Sequence, residues 1–226
     1  MRKFLIALAA LVCSCALPPK VPPPPPIAPV TEPAGPYQGY EVISSRVEIR
    51  VYRDGPMAQL GHDHIITSDA LTGTIRLREP LRDSRFRLEL PLASLVIDDP
   101  KARSAAGPAF AKPVPEADRE ATRRNMLGTS LLDAARQPVM HLIAENLEGG
   151  PQEYQAQLRV GLRGEERIIG VPLSVQIDGG RLSAHASFKL HHADLGLTPF
   201  MVALGSLRVR DDIDVDCSLD ARRSPP

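Results

Sequence analysis

The chain has 226 residues, with 27 Lys and Arg balanced by 27 Asp and Glu, so its formal charge is zero. No basic stripe interleaved with aromatics appears, which argues against a nucleic-acid partner. Three cysteines, two of them in the first fifteen residues, exclude a disulfide framework.

The N-terminus reads as an address. Arg2 and Lys3 precede a short apolar run, Phe4 to Val12, too short to span a bilayer. Val12-Cys13-Ser14-Cys15 follows and resembles a bacterial lipobox. Cys15, with a small residue before it, fits acylation better than Cys13; an ordinary cleaved signal is the other reading. Residues 1–15 are therefore expected to be a lipoprotein signal peptide. Cys15 becomes the lipidated N-terminus, and Ala16 after it implies sorting to the outer membrane, facing the periplasm. Residues 16–36 hold ten of the 23 prolines, including Pro22 to Pro26. That composition predicts a semi-rigid polyproline spacer between a membrane anchor and a folded domain at 37–222.

The domain reads as a succession of strands. Val47, Ile49 and Val51 alternate with Arg46, Glu48 and Arg50. Similar period-2 rows run through Leu71 to Leu77, Phe86 to Leu92, Tyr154 to Leu162, Ile169 to Ile177 and Leu182 to Leu190, and Val139 to Asn146 is a shorter apolar run after Pro138. The last row, Leu207 to Leu219, is the clearest, broken only by Asp211. Eight or nine one-sided strands joined by turns such as Asp178-Gly179-Gly180 predict an all-β antiparallel barrel or sandwich. Asp212, Asp214 and Asp216 share the outward face and are expected to pair with arginines on neighbouring strands, a cation site being the other reading. Cys217, on the apolar parity, reads as a small core residue.

One segment departs from this pattern. Residues 100–115 are rich in Ala, Pro and Gly and predict a loop. Glu116 to Leu127 predicts a helix, with acids early and bases late as the macrodipole prefers. Ser130 to Arg136 could add a second short helix. In a barrel this insertion would lie across an open end.

Four of six histidines fall in two clusters, Gly61-His62-Asp63-His64 and His191-His192 before Asp194. On a strand, His62 and His64 share a face with Leu60 and Ile66, and Asp63 points the other way, to solvent. Three readings stay open for His62, His64 and His192: a metal site, polar lining at a cavity mouth, and plain surface or hydrogen-bonded histidine. No Gly-x-Ser-x-Gly, phosphate loop or Cys-His dyad is present, so no enzyme is expected.

Three stretches, in order, resemble the YceI-like, polyisoprenoid-binding family of bacterial envelope proteins. They are SRVEIRVYRDGPMAQLGHDHIITSDALTGTI, RRNMLGTSLLDAARQPVMHLIAENL and FKLHHADLGL. The resemblance spans residues 40–219. It implies a lipocalin-like, eight-stranded antiparallel barrel with a helical insertion, enclosing a tunnel for a polyisoprenoid, isoprenoid quinone or similar amphiphilic lipid. No metal or other cofactor is implied beyond such a lipid. Leu60, His62, His64, Ile66, Phe188, Leu190, His192, Leu197, Phe200 and Met201 are the expected ligand-binding residues. Asp194 and Gly196 match the family's loop and are expected to hold it in shape. A metal-binding module using His62, His64 and His192 is the alternative.

Overall fold

The computed structural model describes residues 34–225. The leader, its acylation site Cys15 and all but the last residues of the proline-rich segment lie outside the described residues. Eleven strands are present: β1 Gln38–Asp54, β2 His64–Ser68, β3 Thr72–Leu77, β4 Arg85–Pro91, β5 Val96–Ile97, β6 Val139–Gly149, β7 Glu153–Leu162, β8 Glu165–Asp178, β9 Arg181–His191, β10 Met201–Val202 and β11 Leu207–Arg223. Eight of them, in the order β1-β3-β4-β6-β7-β8-β9-β11, close antiparallel into a barrel as β11 returns to β1. The all-β class expected from the alternating rows, and the eight-stranded barrel that the family resemblance implies, are what is observed. Two helices, α1 Pro100–Ala105 and α2 Glu116–Leu127, lie between β5 and β6.

Period-2 alternation sends one residue set inward along each strand. Ile75, Phe86, Leu88, Ala144, Val160, Val171, Leu182 and Leu219 are buried members of that set and form one core. Sequence and pairing agree at β11, where Ile213, Val215 and Cys217 oppose Val51, Ile49 and Val47 of β1.

Two irregularities shape the end of the barrel that matters for function. First, β2 and β3 are two halves of one interrupted partner of β1, pairing with Val47 to Val51 and Gln38 to Glu41 respectively. After the break β3 continues the barrel into β4, while β2 turns aside to pair with β5. Gly73 sits at the break with φ of +148°, and a Cβ there would lie 2.1 Å from the Arg87 carbonyl oxygen. Only glycine allows that approach. Second, Val51 pairs with Ile213 but Arg53 pairs with Val209. Three residues of β11, Arg210 to Asp212, thus face Tyr52 alone on β1, and the bulge turns Asp211 out of the apolar row to an exposed position.

Three expectations are corrected. Residues 100–115 are not all loop: Asp99 accepts from the N–H groups of Lys101 and Ala102, and with Pro100 at the first position it starts α1. Residues 130–136 form turns and no second helix, because Asp133 adopts a left-handed conformation with φ of +47°. The strand expected from Leu60 to Ile66 begins only at His64. Ala58–Leu60 is a single 3-10 turn, closed by the Gly61 N–H on the Ala58 carbonyl.

Candidate functional site

The barrel interior holds an apolar cavity of about 160 Å³, lined by apolar side chains from around the ring, among them Ile49, Leu88, Leu158, Ala186, Phe188 and Leu190. Its lining is almost wholly carbon. Cys217 faces it too, and burial pushes the thiol pKa up to about 11. Beyond it, toward the ends of β1 and the start of β11, lies a second cavity of about 190 Å³. The two share strands: Val51 and Val209 line the outer space, and the next inward positions, Ile49 and Ile213, line the inner one. They therefore stack along the barrel axis.

The outer cavity is where the polar groups gather. His62, His64 and His192 all line it, together with Thr122, Asn125 and Met126 of α2. So α2 lies across this end of the barrel. Met126 is its buried residue. The Arg123 guanidinium ties the helix to the carbonyls of Leu95 and Ala93. His62 Nε2 lies 3.4 Å from Asp118 of the same helix.

Each of the other two rings is held by its Nδ1. His64 Nδ1 lies 2.6 Å from Asp98 Oδ2. Asp98 is fully buried; its Oδ1 accepts from the Ile65 N–H at 3.0 Å and from Arg103 at 2.6 Å. Burial works to raise the Asp98 pKa, but the His64 hydrogen bond and charge, the Ile65 N–H and Arg103 outweigh it and hold the carboxyl below its ordinary value. An ionised Asp98 means that His64 donates through Nδ1–H. His192 also donates through Nδ1–H, to the Asp211 carbonyl at 2.7 Å, since a carbonyl can only accept. In both rings Nε2 is the nitrogen left for a bound molecule, and in the neutral ring it is an acceptor. Two acceptors of fixed direction at the rim of an apolar space suit the polar end of an amphiphile.

The remaining expected residues divide. Ile66 and Phe200 line the outer cavity, and Phe188 and Leu190 the inner one. Leu197 is buried in the core but lines neither space. Leu60 and Met201 do not line them either: Leu60 sits on the 3-10 turn 65 % exposed, and Met201 on β10 is 52 % exposed. Asp63 does not point to solvent; its Oδ1 accepts from the Arg53 N–H at 2.9 Å, tying the loop to β1. Asp194 Oδ2 accepts from the His191 N–H at 2.7 Å and caps the 3-10 helix His192–Leu195. Gly196 ends that helix at φ of +67°, with the Arg167 guanidinium against its Cα. Among the described residues, no three His, Cys, Asp or Glu side chains group so as to hold a metal ion.

Asp98 and Arg103, which fix His64, were not anticipated. The Asp98-Asp99-Pro100 run carried a signal, an N-cap before a proline, that would have placed a helix and its preceding acid here.

No family model matches the sequence, and a search of curated proteins found no relative. Solved structures do match. Burkholderia cenocepacia BcnA is 12 % identical, with a TM-score of 0.55 over 78 % of this chain and 95 % of that one. A polyisoprenoid binding domain from Saccharophagus degradans, implicated in plant cell wall breakdown, is 15 % identical, with a TM-score of 0.53 over 82 % and 98 %. A Campylobacter jejuni YCEI protein is 10 % identical, with a TM-score of 0.48 over 69 % and 82 %. The first two cover nearly the whole of the matched chains and establish a shared architecture. The chain shares its barrel fold with BcnA and the polyisoprenoid binding domain.

Proposed function

We propose that the barrel binds a polyisoprenoid, isoprenoid quinone or similar amphiphilic lipid, acting as a binding protein and not as an enzyme. The observation that carries this reading is the stacking of an apolar cavity on a histidine-rimmed one. The lipid chain would occupy the space lined by Ile49, Leu158, Ala186 and Phe188, and its polar end would meet Nε2 of His64 and His192. A hydroxyl at that end can donate to a neutral ring, and a carbonyl or phosphate would need the protonated form. Both cavities are smaller than the roughly 300–1,000 Å³ common for ligand pockets, so a long chain would use the two as one and displace side chains. The likeness to a polyisoprenoid binding domain supports the lipid class. The lipobox resemblance supports an outer-membrane lipoprotein facing the periplasm, anchored at Cys15.

Organic extraction and native mass spectrometry of protein purified from its own envelope test the reading. The wild type is expected to release an apolar lipid. Ala186→Phe, which fills the inner cavity from its wall, is expected to release little while keeping its fold. Equal yields from a folded Ala186→Phe protein would sink the proposal.

A further inference from the structure

We propose that the mouth end of the barrel docks on a lipid bilayer through an exposed apolar patch made by Met57, Leu60, Phe200, Met201, Val202 and Leu204. Two segments distant in sequence build it. The Met57 N–H donates to the Ser206 carbonyl at 2.9 Å, and β10 pairs with the other edge of β11 at Leu207 and Arg208, so residues 57–60 and 200–204 flank the start of β11. Phe200 and Val202 also line the outer cavity, which makes the patch continuous with the mouth.

Exposure is what singles these residues out. Leu204 is 107 % exposed and Leu60 65 %. Leu204 stands in the β10–β11 turn in a left-handed conformation, φ 56° and ψ 34°. That position favours Gly, Asn or Asp, and a fully solvated leucine serves no purpose inside the fold. Clustered apolar side chains of this kind mark contact surfaces.

The surroundings favour a bilayer as the occupant. Residues 57–60 and 200–204 carry no charged side chain. The two β11 arginines beside them are engaged, Arg208 with Asp54 at 2.8 Å and Arg210 with Asp212 at 2.7 Å. A projecting, uncharged apolar tip suits insertion into a deformable apolar medium. Tether geometry agrees. β1 starts at the end of the barrel away from the mouth, where Gln38 pairs with Leu77, and finishes beside the mouth at Asp54. Its 17 residues span at most about 57 Å. Residues 16–36 could reach about 70 Å if extended, enough to run the length of the barrel. A chain fixed in a membrane near residue 15 can therefore turn its mouth to that same membrane. The purpose of the contact rests on the lipid-binding reading, and the tether geometry on the anchor at Cys15 proposed above.

The test places an environment-sensitive fluorescent amino acid in full-length protein at position 204, or separately at position 177. Ile177 is also exposed but lies next to the β8–β9 turn at the opposite end. Each protein is mixed with phosphatidylcholine vesicles carrying nitroxide-labelled acyl chains. The probe at 204 is expected to shift to the blue and to be quenched several-fold more than the probe at 177, with little change in high salt. Equal quenching at both positions overturns the proposal. A blue shift at 204 without quenching, together with a doubled mass in solution, also overturns it and assigns the patch to a second copy of the chain. Lipid extraction from the same preparations separates the two readings. Lipid recovered without quenching at 204 refutes docking alone, and quenching without lipid refutes lipid binding alone.

Discussion

At the scale of single residues, Asp98 organises the mouth. It neutralises Arg103, whose side chain is 7 % exposed, and it sets the direction of His64. Asp98→Asn keeps the shape but leaves a buried guanidinium without its counter-charge. Losing one partner of a buried pair costs about 3–5 kcal/mol. The denaturation midpoint should fall accordingly, and an unchanged midpoint would show that water or another acid compensates Arg103. This network could not be read from the sequence, because Asp98 and His64 are 34 positions apart and join only through the β2–β5 pairing. The histidines themselves were legible. His64 and Ile66 keep one parity, and His192 follows the apolar row of β9. Leu60 was misplaced because a 3-10 turn, and not a strand, carries it.

Among the elements, β9 and β11 show how an acidic row is tolerated on an outer face. Lys189 reaches Asp212 at 2.9 Å and Asp214 at 2.7 Å, and Arg210 grips Asp212 from its own strand. His185 lies 3.1 Å from Asp216. The Lys189 hydrogen bond, aided by Arg210 and opposed by partial burial, lowers the Asp212 pKa from 3.8 to about 2. A depressed folded-state value stabilises the fold above the ordinary carboxylate pKa, and that contribution fades as pH falls toward the folded value. Asp212→Asn should therefore lose about 0.2–1 kcal/mol near neutral pH, the range for exposed pairs. The two proteins should converge as pH drops from 3.8 to about 2. Denaturation midpoints across that range decide it; a gap that persists at the acid end would mean the effect is not this ion pair. The alternation that built these strands was plain in the sequence, with Leu207 to Leu219 the clearest row. The bulge at Asp211 was not, since extra residues in a strand leave no compositional mark when parity is restored after them.

For the molecule as a whole, the testable expectation concerns where it is held. The Val12-Cys13-Ser14-Cys15 run leads to the expectation that Cys15→Ser shifts the protein from the membrane pellet to the soluble fraction. If that variant still pellets and Cys13→Ser does not, the acyl group belongs on Cys13. The all-β class was legible in the alternating rows, which leave a barrel and a sandwich equally possible; the closed eight-stranded barrel came from the family resemblance. The small strands β5 and β10, two residues each, were too short to show a period. Their shortness has a consequence. Because β11 returns to β1, β5 and β10 are the terminal strands of the ladder among the described residues. Two residues offer too few free backbone groups to template the addition of another chain. The protein can therefore be crowded together with its own copies without recruiting them into a growing sheet.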